Sequence, residues 1–259
     1  MFGTIRAIGR QVIQFNIQIG QIVLLLFSVL FQSVKNLLKP TLVIKEIYVF
    51  GCSSISIIVF CGLFLGLVLG LQAYNSLILF NAESSLGALV GISVLREIGP
   101  VLAAILFASS AGSAMTSEIG LMKSTDQLSA LEVMGVNPIE RVIGPRFLAG
   151  IISVPLLTLV YNAFAILGTY LMAVVLYGLD RNIFWGQMQS AISVSYDLSG
   201  SIIKSLVFGI LISLIAVYNG LYACPTPNGI LKATNHTVVW CSLYILVTDF
   251  ILTVFLFTG

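Results

Sequence analysis

Charge is what this chain most lacks. Twelve Lys and Arg and ten Asp and Glu amount to 8% of its 259 residues, where a soluble domain carries roughly a quarter. The net charge is +2, with no basic cluster of the kind that tracks a nucleic acid. There is one histidine, His236, and no H-E-x-x-H, so a zinc-hydrolase centre is not expected. No G-x-x-x-x-G-K-[ST] loop is present, so the chain lacks the usual means of holding ATP. The four cysteines, Cys52, Cys61, Cys224 and Cys241, fit no zinc or redox spacing and read as inert buried thiols. The N-terminal stretch MFGTIRAIGRQVIQFNIQIGQ lacks a compact apolar core followed by a small-residue cleavage site, so no signal peptide is expected.

What the chain has instead is apolar surface. Hydrophobic residues make up 58%, and the mean hydropathy is +1.08. Outer-membrane barrel strands alternate apolar and polar residues. Here the apolar residues run continuously, which demands helices, since only a helix satisfies its own backbone in hydrocarbon. A span needs about 20 such residues. Five segments qualify: 48–72, 86–117, 147–177, 199–222 and 236–258. The expected fold is therefore an all-α integral membrane protein in a single domain, 1–259.

Residues 4–38 differ. Ile5, Ile8, Val12, Phe15, Ile19, Ile22 and Leu26 recur at helical steps, with Arg6, Arg10, Gln14, Gln18 and Gln21 on another face. This predicts an amphipathic helix lying in the membrane interface. A sixth span near 22–31 is the competing reading, but it is short and bounded by Gln21 and Gln32. Basic residues set the orientation. Arg6, Arg10, Lys35, Lys39, Lys45, Lys123, Arg141, Arg146 and Lys232 fall on one side, and Arg181 alone on the other. The N-terminus is thus expected in the cytoplasm and the C-terminus in the periplasm.

Four charges lie inside spans: Arg96, Glu97, Lys204 and Asp249. Each costs a few kcal/mol at the bilayer centre unless paired or wetted. The fourth and fifth spans are antiparallel, so Lys204 and Asp249 can meet at one depth as an ion pair. Arg96 and Glu97 are neighbours in SVLREIGPV, residues 93–101. Adjacent helical residues do not face each other, so at least one must face a partner, a cavity or a ligand. Pro100 removes a backbone donor just beyond them, and freed carbonyls at this depth are tolerated where they are buried in protein or line a cavity.

Small residues imply close helix contacts. Gly62, Gly66 and Gly70 form a ridge on the first span that suits another helix, either of this chain or of a second copy. Ala108 and Gly112, with Ser109, Ser113 and Thr116, do the same on the second span. Between the second and third spans, 124–135 reads as a short helix. Ser124 with Gln127 fits a capping box, Asp126 sits in the first turn, and Gly135 and Pro138 terminate it. Its apolar stripe of Leu128, Leu131 and Met134 needs either the membrane surface or a groove on a cytoplasmic partner.

The combination LREIGP (95–100), EIGLM (118–122), VNP (136–138) and PR (145–146) closely resembles the MlaE family of ATP-binding-cassette (ABC) transporter permeases. The likeness continues through FWGQMQSAI, IIKSLVFGI and TDFILT and covers about residue 45 to the end. That family serves phospholipid traffic between the inner and outer membranes of Gram-negative bacteria, and plastid relatives exist. The resemblance implies a permease dimer in the inner membrane that maintains outer-membrane lipid asymmetry and has no catalysis of its own. A partner ATPase would bind ATP and Mg and receive a coupling helix built on Ser124, Asp126, Leu128, Leu131, Glu132 and Met134. A hexameric MCE-domain protein would sit on the periplasmic face, and a STAS-domain protein would bind the ATPase. Phospholipid would occupy an outward-facing cavity, with Leu69, Leu77 and Ile98 on its acyl-chain walls and Arg96 and Glu97 as the family's charged pair nearby. Lys204 and Asp249 also match charged positions of the family. One departure is ASSAGSA where the family usually reads AGRAGSA, so Ser110 replaces an arginine expected near the cytoplasmic end of the second span.

Two rival functions remain from the residues alone. A self-contained secondary transporter could move protons through Glu97, Lys204 and Asp249. A scaffold anchoring other envelope proteins would move nothing.

Overall fold

A computed structural model describes residues 20–22, 24–29 and 40–257. Most of the expected interfacial helix 4–38 lies outside the described residues. Five helices are long and apolar enough to cross a membrane. We label them with the shorter helices between them: α1 Pro40–Ile78, α2 Glu83–Ser124, α3 Gln127–Val133, α4 Ile139–Leu176, α5 Arg181–Ala191, α6 Val194–Tyr222 and α7 Pro227–Phe257. No strand occurs among the described residues.

The spanning helices overrun the apolar runs that announce them. Glu46 near the start of α1 and Lys123 at the end of α2 are helical although polar. Apolarity marks the part of a helix that sits in hydrocarbon, whereas the helix continues until a turn stops it. Between α1 and α2 that turn is tight, with Asn81 at φ 50°. Asparagine is among the few non-glycine residues that adopt this conformation readily.

The glycine ridge of α1 is used within the chain. A side chain at Gly66 would run into the carbonyl of Ala165 on α4, and one at Gly62 would meet the Tyr161 carbonyl at 3.0 Å. Gly70 faces Thr169 and Met172. The reciprocal position, Gly168 on α4, presses on the backbone of α1 at Leu63. Thr169 closes the seam by donating its hydroxyl to the Gly66 carbonyl at 3.0 Å. The ridge is therefore not spare surface for a second copy.

Helix α6 is the most deeply buried span and α7 the least. Gly209 brings α6 onto Gly150 and Ile151 of α4, and Gly220 brings it onto Ile119 of α2. Thr116 donates to or accepts from Thr237 of α7 at 2.9 Å and bonds the Ala216 carbonyl of α6, so a hydroxyl pins three helices together. Ala108 and Gly112 face inward, whereas Ser109 stays exposed. Residues 20–22 and 24–29 are helical and bury Leu25 and Val29 against Ile119, Phe147 and Val217. Leu24 and Phe27 on their other side are exposed. Of the four cysteines only Cys241 is buried, and Cys52 and Cys224 are exposed on this chain. Apolar runs place a residue in the membrane but do not say whether it faces protein or lipid.

Candidate functional site

The stretch SVLREIGPV contains a π-helical turn, Val94–Ile98. Such a turn admits one extra residue and changes which way its side chains point. The Gly99 amide bonds the Val94 carbonyl, five residues back. Pro100 has no amide to give, so the Arg96 carbonyl four residues before it loses its helical partner. Lys204 of α6 supplies the replacement, with its ammonium 2.9 Å from that carbonyl.

Lys204 is fully buried, and its ammonium has further partners to satisfy its three donors. It bonds Asp249 Oδ1 at 2.9 Å and Thr253 Oγ1 at 2.6 Å, both on α7. Glu97 Oε1 lies 3.6 Å away, an ionic contact longer than a hydrogen bond. The Thr253 hydroxyl has its shorter acceptor in the Asp249 carbonyl at 2.8 Å and also lies 3.3 Å from Glu97 Oε2. Thus Lys204 and Asp249 do meet at one depth, and Glu97 completes the cluster. Arg96 turns elsewhere. Its Nε donates to Asp197 Oδ1 at 2.6 Å at the start of α6. Asp197 is fully buried, and its second oxygen accepts from the Ser193 amide at 2.9 Å.

Asp197 escaped the sequence reading because it falls before the apolar run of the fourth span. A signal was present. Asp197, Ser201 and Lys204 recur at steps of four and three, and all are buried on one face of α6. Replacing Asp197 by Asn should weaken the tie to Arg96 by about 1–3 kcal/mol. A lowered thermal midpoint of purified protein, rescued by Asp197→Glu but not by Asp197→Ala, would bear this out. A midpoint unchanged by both Asn and Ala would refute it.

Beside this network lies an apolar cavity of about 470 Å³ between α1 and α2. Leu69, Gln72, Ala73, Ser76, Leu77 and Phe80 form one wall, and Leu89, Val90, Ser93 and Ile98 the other. The three apolar residues expected at the site, Leu69, Leu77 and Ile98, all line it. Arg96 and Glu97 do not. The π-turn sends Ile98 to the cavity and the two charges toward α6 and α7. Both keep some exposure, 30% for Arg96 and 42% for the Glu97 side chain.

At the opposite end of the bundle, helix α3 is shorter than the expected 124–135. Ser124 is the last residue of α2 and its hydroxyl donates back to the Leu121 carbonyl, so it cannot cap α3. The capping box with Gln127 does not form. Asp126 takes the N-cap position in the left-handed region, φ 56°, and makes no side-chain cap bond. The C-terminal signal behaves as its residues dictate. Gly135 adopts φ 74°, and the Val136 amide bonds the Leu131 carbonyl at 2.9 Å. Leu128 and Leu131 are half-buried, whereas Glu132, Val133 and Met134 are exposed. Leu131 lines a groove with Leu42, Val136 and Arg141.

Ser110 lies in a second π-turn, Ala108–Gly112. It pairs with Ser54 of α1 at 2.7 Å. It sits about two turns before residue 117, the expected end of the second span, and α2 runs on beyond that to Ser124. The small residue lets α1 and α2 meet through two hydroxyls. Among the described residues no group of His, Cys, Asp and Glu is arranged to hold a metal ion.

Comparison with known proteins agrees with this architecture. Residues 43–255 match the family described as Permease MlaE. The chain is 48% identical over 253 residues to the intermembrane phospholipid transport system permease protein MlaE of Haemophilus influenzae, covering 98% of this chain and 97% of that one. It is 31% identical to a probable ABC transporter permease of Rickettsia typhi, covering 96% of each chain. It is 30% identical to a probable ABC transporter permease of Synechocystis, covering 83% of this chain and 82% of that one. A match of this length and identity, on a five-span bundle with the LREIGP turn at its centre, makes the chain a member of the MlaE permease family.

Proposed function

We propose that this chain is the membrane subunit of an ABC transporter that moves phospholipid between the inner and outer membranes of a Gram-negative envelope and maintains outer-membrane lipid asymmetry. The observation that carries the reading is the cavity between α1 and α2. Its walls are apolar, its volume lies in the usual range of small-molecule sites, and the intramembrane charges lie next to it. That is the division an amphipathic lipid needs, with hydrocarbon against Leu69, Leu77 and Ile98 and a polar head near Arg96 and Glu97.

The excess of basic residues beside α3 puts that end of the bundle in the cytoplasm. There α3 is the coupling helix for a partner ATPase, which holds ATP and Mg. The periplasmic end, with α5, faces an MCE-domain protein, and a STAS-domain protein binds the ATPase. Two copies of the chain form the permease in the inner membrane, and the chain itself catalyses nothing. A proton-coupled mechanism through Glu97, Lys204 and Asp249 finds no support in the relatives, which are named as a phospholipid transport system permease and as probable ABC transporter permeases. In this reading Lys204 is an internal strut that fills the gap left by Pro100.

Coexpression with the ATPase tests the assignment. Purified complex should carry phospholipid detectable by mass spectrometry, and the permease alone should hydrolyse no ATP. Val133 is 88% exposed, so Val133→Asp should not disturb the fold. It should cut recovery of the ATPase in a pull-down by about tenfold, the loss expected when an apolar anchor is removed from an interface centre. Full recovery of the ATPase with Val133→Asp and with Leu131→Asp would count against docking through α3.

A further inference from the structure

The two ends of the loop that presents α3 are joined by an ion-pair cluster outside the site described above. Arg146 lies in the first turn of the α-helical part of α4, in the GPR sequence. Its Nη2 is 3.0 Å from Glu118 Oε2, on the last stretch of α2. Its Nε faces Glu46 Oε2 of α1 at 3.6 Å, an ionic contact too long for a hydrogen bond, and that buried nitrogen has no hydrogen-bond acceptor among the described residues. Its Nη1 contacts the Met122 sulfur at 3.7 Å, and its guanidinium stands 6.0 Å from the centre of the Phe50 ring. Arg146 is 9% exposed. One guanidinium therefore holds α1, α2 and α4 together, and a planar fork with several donors is suited to that as an ammonium is not.

The position in the chain gives the cluster its meaning. Glu118 precedes α3 and Arg146 follows it, so the pair closes the base of the loop that carries α3. Lys123 anchors the same base to a fourth span by donating to the Leu221 and Ala223 carbonyls at the end of α6, at 2.6 and 3.1 Å. The short helix itself has few anchors of its own, since Glu132, Val133 and Met134 are exposed and Leu131 only half-buried.

We propose that Arg146 is the positioning residue that couples α3 to the transport cavity. With Glu46 and Glu118 it makes the loop base rigid, so that movement of α3 is passed to α1 and α2, the two helices that wall the cavity. The inference rests on the functional reading above. It assigns Arg146 no contact with lipid or with ATP.

The test uses the whole complex with its ATPase in phospholipid vesicles, measuring ATP hydrolysis and lipid transfer separately. Arg146→Lys keeps the charge but cannot serve both carboxylates. Glu118→Gln removes one partner from a side chain that is 43% exposed and so leaves the fold intact. Both variants should keep the ATPase bound and hydrolysing within about twofold of wild type, while lipid moved per ATP falls about tenfold, the upper part of the range for residues that carry coupling without touching a ligand. The thermal midpoint of Glu118→Gln should stay at the wild-type value, which separates lost coupling from lost folding. Hydrolysis and transfer falling in proportion, or an unchanged ratio, would overturn the proposal. If the wild-type complex moves no lipid with ATP, the functional reading itself fails and this inference with it.

Discussion

Lys204→Met should be among the most damaging single changes in the chain. The ammonium is fully buried and bonds the Arg96 carbonyl, Asp249 and Thr253, with Glu97 beside it. Methionine fills similar space but leaves Asp249 and the Arg96 carbonyl without their donor. Breaking a buried pair from one side costs about 3–5 kcal/mol, because the surviving charge is stranded. For a chain of this size that is a fall in thermal midpoint of roughly 6–20 °C. The partner experiment is more informative. Lys204→Met with Asp249→Leu removes the buried pair and leaves only Glu97, whose side chain is 42% exposed and can be solvated, and replacing a whole buried pair by apolar residues is often neutral. The double variant should recover more than half of the loss. Differential scanning of protein in detergent measures both. A single variant as stable as wild type would mean that Lys204 is wetted rather than buried, and would revive a proton-carrying role for the cluster.

Gly66→Ala should cost as much by another route. The added methyl would overlap the Ala165 carbonyl of α4, and the obstacle is backbone, which cannot rotate away. Overpacking costs about 1–3 kcal/mol when side chains can adjust, so this position should reach the top of that range or exceed it. Separating α1 from α4 also lengthens the bond from Thr169 to the Gly66 carbonyl. Gly70→Ala is the control. There the new methyl meets the Met172 side chain at 3.1 Å and Thr169 at 3.3 Å, a pressure a few tenths of an ångström can relieve. The predicted order of thermal midpoints is wild type, Gly70→Ala, then Gly66→Ala well below. Equal midpoints for Gly66→Ala and wild type would place the ridge on another surface, and a second copy of the chain would again be the candidate.

Much of this architecture is legible in the sequence because the bilayer restricts what a chain can do. An apolar run of the right length can only be a helix in hydrocarbon. The same constraint makes each intramembrane charge conspicuous, and the pairing of Lys204 with Asp249 follows from antiparallel spans. Local turn chemistry was partly legible. Gly135 ends α3 as its residue type requires. The start of α3 departs from its sequence signal, because Ser124 finds a partner one turn back in α2 before it can cap the next helix. The end of α3 is closed by two backbone bonds, from the Gly135 and Val136 amides, whereas its start was left to one hydroxyl that had a nearer acceptor.

The site itself divides along the same line. Leu69, Leu77 and Ile98 line the cavity between α1 and α2, and Arg96 and Glu97 lie beside it rather than on its walls. Two features decided that. The π-turn Val94–Ile98 admits one extra residue and so changes which way the side chains around it point. Asp197, which lies outside the apolar run of its span, takes one of them. Neither is visible in an averaged pattern of hydropathy.

By itself, the sequence determined the number and kind of spans, the charged positions within them and the family to which the chain belongs. These follow from composition and short-range order, which the solvent reads one segment at a time. The tertiary structure alone decided which helix the glycine ridge meets, which carboxylate answers Arg96, and that Lys204 fills the gap left by Pro100. It also brought Glu46, Glu118 and Arg146 together around the base of α3. Those choices depend on which faces of distant helices come into contact. In a membrane, where hydrocarbon is as good a neighbour as leucine, that is settled by close packing and by the few polar groups that must find partners.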